Sequence, residues 1–187
     1  MKTGRLPVWI SVSYLIISEY KAREGVVVMQ EEKDARYEAA KNKALRVLEY
    51  RSHSEREICD KLKRAGFEYE YIERVLEFLR EYNFINDREF AEKYARDLKN
   101  IKKLGRLRVK AELMKKGIKA EFIEVAISGI DWEEEDVLTP MVRKKLGGDF
   151  ERKSIDRCIR YFLYKGYSYD EIKVSIERLQ SEEENGI

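Results

Sequence analysis

Between Arg96 and Lys119 the chain sets ten basic residues against two acidic ones. Arg96, Lys99, Lys102, Lys103, Arg106, Arg108, Lys110, Lys115, Lys116 and Lys119 concentrate a charge that suits phosphates or an acidic protein surface. The bland alternative for such a run is a solvated helical face. Its densest part, Lys102, Lys103, Arg106, Arg108 and Lys110, forms a candidate contact strip. If the strip meets about five phosphates, log affinity should fall with log salt at a slope of about −4.5.

Other chemistry is sparse. His53 is the one histidine; beside a helix cap, it reads as a solvated turn residue rather than a base. Glu133, Glu134, Glu135 and Asp136 could suggest a metal site, but acids in the first turn of a helix are already stabilised by its dipole. No glycine-rich loop follows a strand, so the phosphate-cradling motifs have no place to sit. Cys59 and Cys158 lie in no CxxC pattern, and Cys158 takes a core position, which suits a buried reduced thiol. The expectation is a non-enzyme without metal or cofactor, in the cytoplasm.

The elements that must position the basic run follow from an internal repeat. Aligning Gly66, Gly117 and Gly166 brings Ser54 to Leu79, Gly105 to Ile130 and Ser154 to Leu179 into register. Eight residues before each glycine stand Ile58, Val109 and Cys158, and four before it Leu62, Leu113 and Phe162. After it come Ile72, Leu76 and Leu79, then Ile123, Ile127 and Ile130, then Ile172, Ile176 and Leu179. Spacings of three and four make each set one apolar helical stripe. A glycine between two stripes suits the left-handed residue that ends a helix. The fold class predicted is mainly α: three tandem three-helix repeats in an elongated array, with a short N-terminal β-hairpin.

The organisation expected is a hairpin extension over 1–34, a first repeat over 35–86, a basic second repeat over 87–130 and an acidic third over 131–187 with a frayed tail. Ile10, Val12, Tyr14 and Ile16 alternate with Ser11 and Ser13, and Val26 to Val28 follow Gly25, which is hairpin patterning. Val8 to Ile17 follows Lys2 and Arg5 but is too short to span a bilayer and lacks a small-residue cleavage site. In the helical part, Ser54 with Glu57 and Ser168 with Glu171 read as capping boxes, as does Asp131 with Glu134. Asn86 or Asp87 caps the helix bearing Phe90, Tyr94 and Leu98. Pro140 either kinks a helix or starts one with Thr139 as its cap.

Residues 87–130 carry twelve basic and seven acidic groups, and residues 131–187 carry ten and fourteen, within a whole-chain charge of +2. A helix-turn-helix comparison would send the helix after each glycine into the major groove. Those helices carry Glu68, Glu70, Glu73 and Glu77, then Glu121 and Glu124, then Asp170, Glu171 and Glu177, which phosphates would repel. Base-specific duplex reading is disfavoured, and backbone contact stays open.

Ala44-Leu45, Tyr50-Arg51, Ser54-Glu55, Leu62 and Gly66, then Phe84-Ile85-Asn86-Asp87 before Phe90-Ala91, resemble the RecX family of bacterial regulators of the recombinase RecA. Gly105, Arg108, Leu113 and Lys116-Gly117-Ile118 continue the resemblance, which covers about residues 35–187 and is looser in the third repeat. It implies an all-helical array that binds RecA filaments on single-stranded DNA and modulates, mostly inhibits, ATP hydrolysis, strand exchange and co-protease activity. An array can touch several filament subunits at once, which adds weak contacts through effective concentration. Two other functions remain open: a stand-alone DNA-binding protein of tandem helical modules, or a helical adaptor in which the hairpin edge pairs with another chain.

Overall fold

The computed structural model describes residues 32–132 and 136–184. Within them the chain forms helices only: α1 over 32–50, α2 Glu55–Arg64, α3 Tyr69–Glu81, α4 Asp87–Asn100, α5 Arg106–Lys115, α6 Ala120–Ser128, α7 Leu138–Leu146, α8 Arg152–Lys165 and α9 Tyr169–Glu184. The expected hairpin lies outside the described residues, except that 32–34 already belong to α1. Contacts divide the chain into two compact units, one through Arg51 together with Cys59–Glu81, the other Ser52–Ile58 together with the chain from Tyr82 onward.

Every residue of the repeated stripes is buried, from Ile58 and Leu62 through Ile176 and Leu179. The three aligned glycines have φ of +85°, +76° and +92°, a region that costs any other L-residue strain. In the first unit α1 contributes buried Ala40 and Ala44, and α3 contributes Ile72, Val75 and Leu79. An ion pair between Arg36 and Glu68, and Arg74 4.4 Å above the Tyr37 ring, fasten α1 outside that core.

The second unit holds two further three-helix cores. In one, α4, α5 and α6 enclose Ala91, Leu98, Val109, Leu113, Ile123 and Ile127. In the other, α7, α8 and α9 enclose Val142, Leu146, Cys158, Phe162, Ile172 and Leu179. Burial pushes the Cys158 thiol above its usual pKa, which suits an inert core residue.

Local capping follows the sequence at Ser54, Asn86 and Ser168. The Glu57 N–H donates to Ser54 Oγ at 3.2 Å and the Ser54 N–H to Glu57 at 3.3 Å; the Ser168 and Glu171 pair repeats this at 3.2 and 2.6 Å. Asn86 caps α4 by accepting from the Glu89 N–H. The opening of α7 differs from both expectations for Pro140. Asp131 and Trp132 are not helical and Glu134 lies outside the described residues. α7 starts at Leu138, and Asp136 accepts the Thr139 N–H at 2.9 Å. Pro140 therefore falls within the first turn, where its missing N–H costs nothing. α9 continues through Ser181 to Glu184, with Leu179 buried and Arg178 tying Glu182 at 3.3 Å, and the last three residues of the expected frayed tail lie outside the described residues.

Candidate nucleic-acid interface

The basic run begins on α4, crosses a loop and continues on α5. The loop is wound tightly: the Ile101 N–H donates to the Asp97 carbonyl at 2.9 Å and the Leu104 N–H to that of Leu98 at 3.1 Å. Lys103 closes it in the left-handed region at φ +51°, unusual for a residue with a side chain. Holding it there requires a neighbour, and that neighbour is the turn after α8. Tyr167 donates its hydroxyl hydrogen to the Lys103 carbonyl at 3.2 Å, and Lys165 Nζ donates to that of Lys102 at 3.3 Å.

The joint between loop and turn is made by backbone. The Gly105 N–H donates to the Lys165 carbonyl at 3.0 Å and the Leu107 N–H to the Gly166 carbonyl at 3.1 Å. Free N–H groups at the start of α5 thus satisfy free carbonyls at the end of α8, and the opposed dipole ends attract. No side chain fits between them: a Cβ on Gly105 would overlap the Gly166 carbonyl, and one on Gly166 would overlap Arg108.

A related joint occurs at the other end of α5. Ser54 Oγ donates to the Lys116 carbonyl at 2.7 Å, and Gly117 lies against the stem of Arg56. Ser54 and Gly105 each stand twelve residues before the glycine of their own repeat. The same repeat position therefore meets the glycine turn of the following repeat in both cases.

The sequence-predicted basic residues fall into two groups. Arg96 pairs with Glu92 at 3.5 Å, Arg108 with Glu112 at 2.9 Å, Lys110 with Glu124 at 2.5 Å and Lys115 with Glu112 at 3.0 Å. Lys99 donates to the Asp131 carbonyl. Lys116 is half-buried, pairs with Glu57 at 2.5 Å and lies 5.5 Å above the Tyr94 ring. The hydrogen bond from Lys115 outweighs burial and, with the charges of Lys115 and Arg108, holds the Glu112 carboxyl below its usual pKa. Lys110 does the same for Glu124.

Lys102, Lys103 and Arg106 form the second group. None makes a salt bridge among the described residues, and Lys102 and Arg106 are exposed. They cluster on the fixed loop and the first residue of α5. Lys115 lies at the far end of that helix, about 14 Å along its axis from Arg106. Lys119 is exposed at the N-cap of α6, with its ammonium 6.0 Å from the Phe122 ring.

One basic surface escaped the count by repeat. Residues 131–187 sum to −4, yet α8 carries Arg152, Lys153, Arg157, Arg160 and Lys165 against Asp156 alone. Charge counted helix by helix would have revealed it. The joint at Gly105 and Gly166 brings the end of α8 beside Lys102 and Arg106.

His53 is buried rather than solvated, at 5% exposure, because the segment before α2 packs on the turn before α4. It shares a hollow of about 220 Å³ with Asn83, Phe84, Ile85 and Phe90. A larger hollow of about 510 Å³ lies among Leu104, Trp132, Val137, Tyr167 and Val174. Of the acids that line it, Asp136 accepts the Thr139 N–H at the start of α7 and Glu171 accepts the Ser168 N–H at the start of α9. Among the described residues no group of His, Cys, Asp and Glu can hold a metal ion, and no helix is long and apolar enough to cross a membrane.

Two family models match this chain: the first three-helix domain of RecX over residues 40–79 and the second over residues 86–127. The regulatory protein RecX of Clostridium perfringens (strain SM101 / Type A) is 34% identical over 157 residues, covering 81% of this chain and 73% of the relative. The chain belongs to the RecX family. The RecX protein of Clostridioides difficile (strain 630) is 30% identical over 188 residues, covering 96% of this chain and 88% of its own. Among solved structures, RecX from Lactobacillus salivarius superimposes with a TM-score of 0.68 at 28% identity, covering 79% of this chain and 98% of that one. The RecX relatives are named regulatory proteins, and a regulatory role comes with the family.

Proposed function

We propose that this chain is a cytoplasmic, non-enzymatic regulator that binds RecA filaments formed on single-stranded DNA and restrains their ATP hydrolysis, strand exchange and co-protease activity. Lys102, Lys103 and Arg106 are its primary contacts with filament or DNA, and Arg108 and Lys110 flank them. The observation that carries this reading is the state of those three cations: none is in a salt bridge with a described carboxylate, and they stand on or beside a loop fixed from below. A preorganised cationic site binds phosphate or an acidic surface without first breaking internal ion pairs. The remaining predicted residues, Arg96, Lys99, Lys115 and Lys116, contribute to the surrounding field while already engaged with Glu92, the Asp131 carbonyl, Glu112 and Glu57.

The test is the DNA-dependent ATPase rate of the cognate RecA as the protein is added below one copy per recombinase subunit. Inhibition is expected, and the triple substitution K102A/K103A/R106A should relieve it while leaving the helical circular-dichroism signal intact. Unchanged ATPase with well-folded wild-type protein would sink the reading. Full inhibition by the triple variant would remove these residues from it.

A further inference from the structure

We infer that the outer face of α8 is a base-stacking platform for single-stranded nucleic acid, built on Tyr161 and Tyr164. The inference rests on the proposed function for its setting and adds to it the part of the ligand that is read: the face of an unpaired base.

The platform begins with helical spacing. Lys153, Arg157, Arg160, Tyr161 and Tyr164 succeed one another at steps of four, three, one and three, which is one stripe along a helix. The opposite stripe, Cys158 and Phe162, is buried. Phe162 meets the Tyr161 ring edge to face at 5.0 Å and braces it from the core side. Tyr164 is 71% exposed and Tyr161 41%, large values for aromatic rings that no described core needs.

Each ring also carries a cation. The Arg108 guanidinium lies 4.8 Å from the centre of Tyr164, and Glu112 holds that arginine in place. Lys145 stands 4.6 Å and Lys165 5.8 Å from the centre of Tyr161. Rings interleaved with cations are what binds an unpaired strand: bases stack on aromatic faces while the cations follow the phosphates. Arg157 and Arg160 stand four residues before Tyr161 and Tyr164, are exposed, and make no salt bridge among the described residues. The joint at Gly166 sets Lys102 beside the end of α8, which continues the cationic track. A duplex hides its base faces inside the stack, so this surface favours single strands, whereas cations alone would favour the higher charge density of duplex.

The test compares binding of the full chain, without RecA, to a labelled single-stranded oligonucleotide and to an abasic strand of equal length, at one salt concentration. The strand with bases should bind roughly tenfold or more tightly. Y161A/Y164A should abolish that preference while keeping the salt slope, and Y161F/Y164F should retain the preference because the ring face remains. Equal binding of the two strands by wild type, no binding to either, or a preference surviving in Y161A/Y164A would overturn the inference. If the base preference behaves as expected but RecA hydrolysis is unaffected, the proposed function fails and the platform stands. If RecA is inhibited without any base preference, the reverse holds.

Discussion

Gly105 and Gly166 meet backbone to backbone: a Cβ on the first would overlap the carbonyl of the second, and the Gly105 N–H bonds the carbonyl just before it at 3.0 Å. The basic loop is therefore held by main chain and by the side chains of Tyr167 and Lys165, not by its own lysines. That separation leaves the lysine and arginine ends available for a ligand.

The glycines can be ranked by cause. Gly66 needs its left-handed φ of +85° but has open space around it, so Gly66→Ala should cost about 1–2 kcal/mol. Gly105 has ordinary φ and no space, so Gly105→Ala should cost about 1–3 kcal/mol through displaced backbone. Gly166 has both constraints, and Gly166→Ala should lower the urea midpoint most of the three.

Two capping boxes with similar geometry should differ in worth. Ser168→Ala removes a partly exposed cap and should cost about 1 kcal/mol. Ser54 is fully buried and also donates to the Lys116 carbonyl, so Ser54→Ala should cost more, since it strands a partner. Equal shifts in thermal midpoint would show that the bond to Lys116 adds nothing.

Tyr167 gives stability an alkaline limit. Burial pushes its phenol up to about 12 in the folded chain, against 10.0 unperturbed. Below pH 10 both states keep the proton and the contribution is fully present. As pH rises from 10 towards 12 the unfolded chain ionises first, and stability falls. Tyr167→Phe should flatten this decline, although it also loses the bond to Lys103 and should be less stable at neutral pH. A wild-type urea midpoint constant across that window would contradict the shift.

The salt response should separate the two groups of cations. K102A/K103A/R106A should reduce the magnitude of the single-strand salt slope by about 2, at about 0.7 per phosphate contact. R96A/K115A should alter it far less, because both residues already share carboxylates at 3.5 and 3.0 Å. The measurement is affinity across a salt series, and slopes reduced equally in both variants would erase the distinction.

Much of the fold was legible because its signals are local. Apolar spacing decides which face of a helix is buried, and a glycine turn needs little beyond its own φ, so the stripes and Gly66, Gly117 and Gly166 behaved as the sequence implied. His53 did not, since its burial depends on a turn thirty residues away. The start of α7 was missed because Asp136 and Thr139 compete as caps, and the carboxylate wins the N–H. The candidate site is read from the sequence as a charge run, and that run lies on α4, α5 and the loop between them. Its continuation on α8 was hidden by averaging over an acidic repeat, and which lysines are already paired depends on carboxylates such as Glu57 and Glu124, remote in sequence.

The amide hydrogens of Gly105 and Leu107 sit where a chain ordinarily exchanges freely with water, at a loop and a helix's first turn. Here they point into carbonyls of α8, so neither can be released by fraying of α5 alone. In deuterated solvent these two should exchange slowly, at the rate at which α8 and α5 part company. They make a pair of built-in clocks for the cohesion of the second unit.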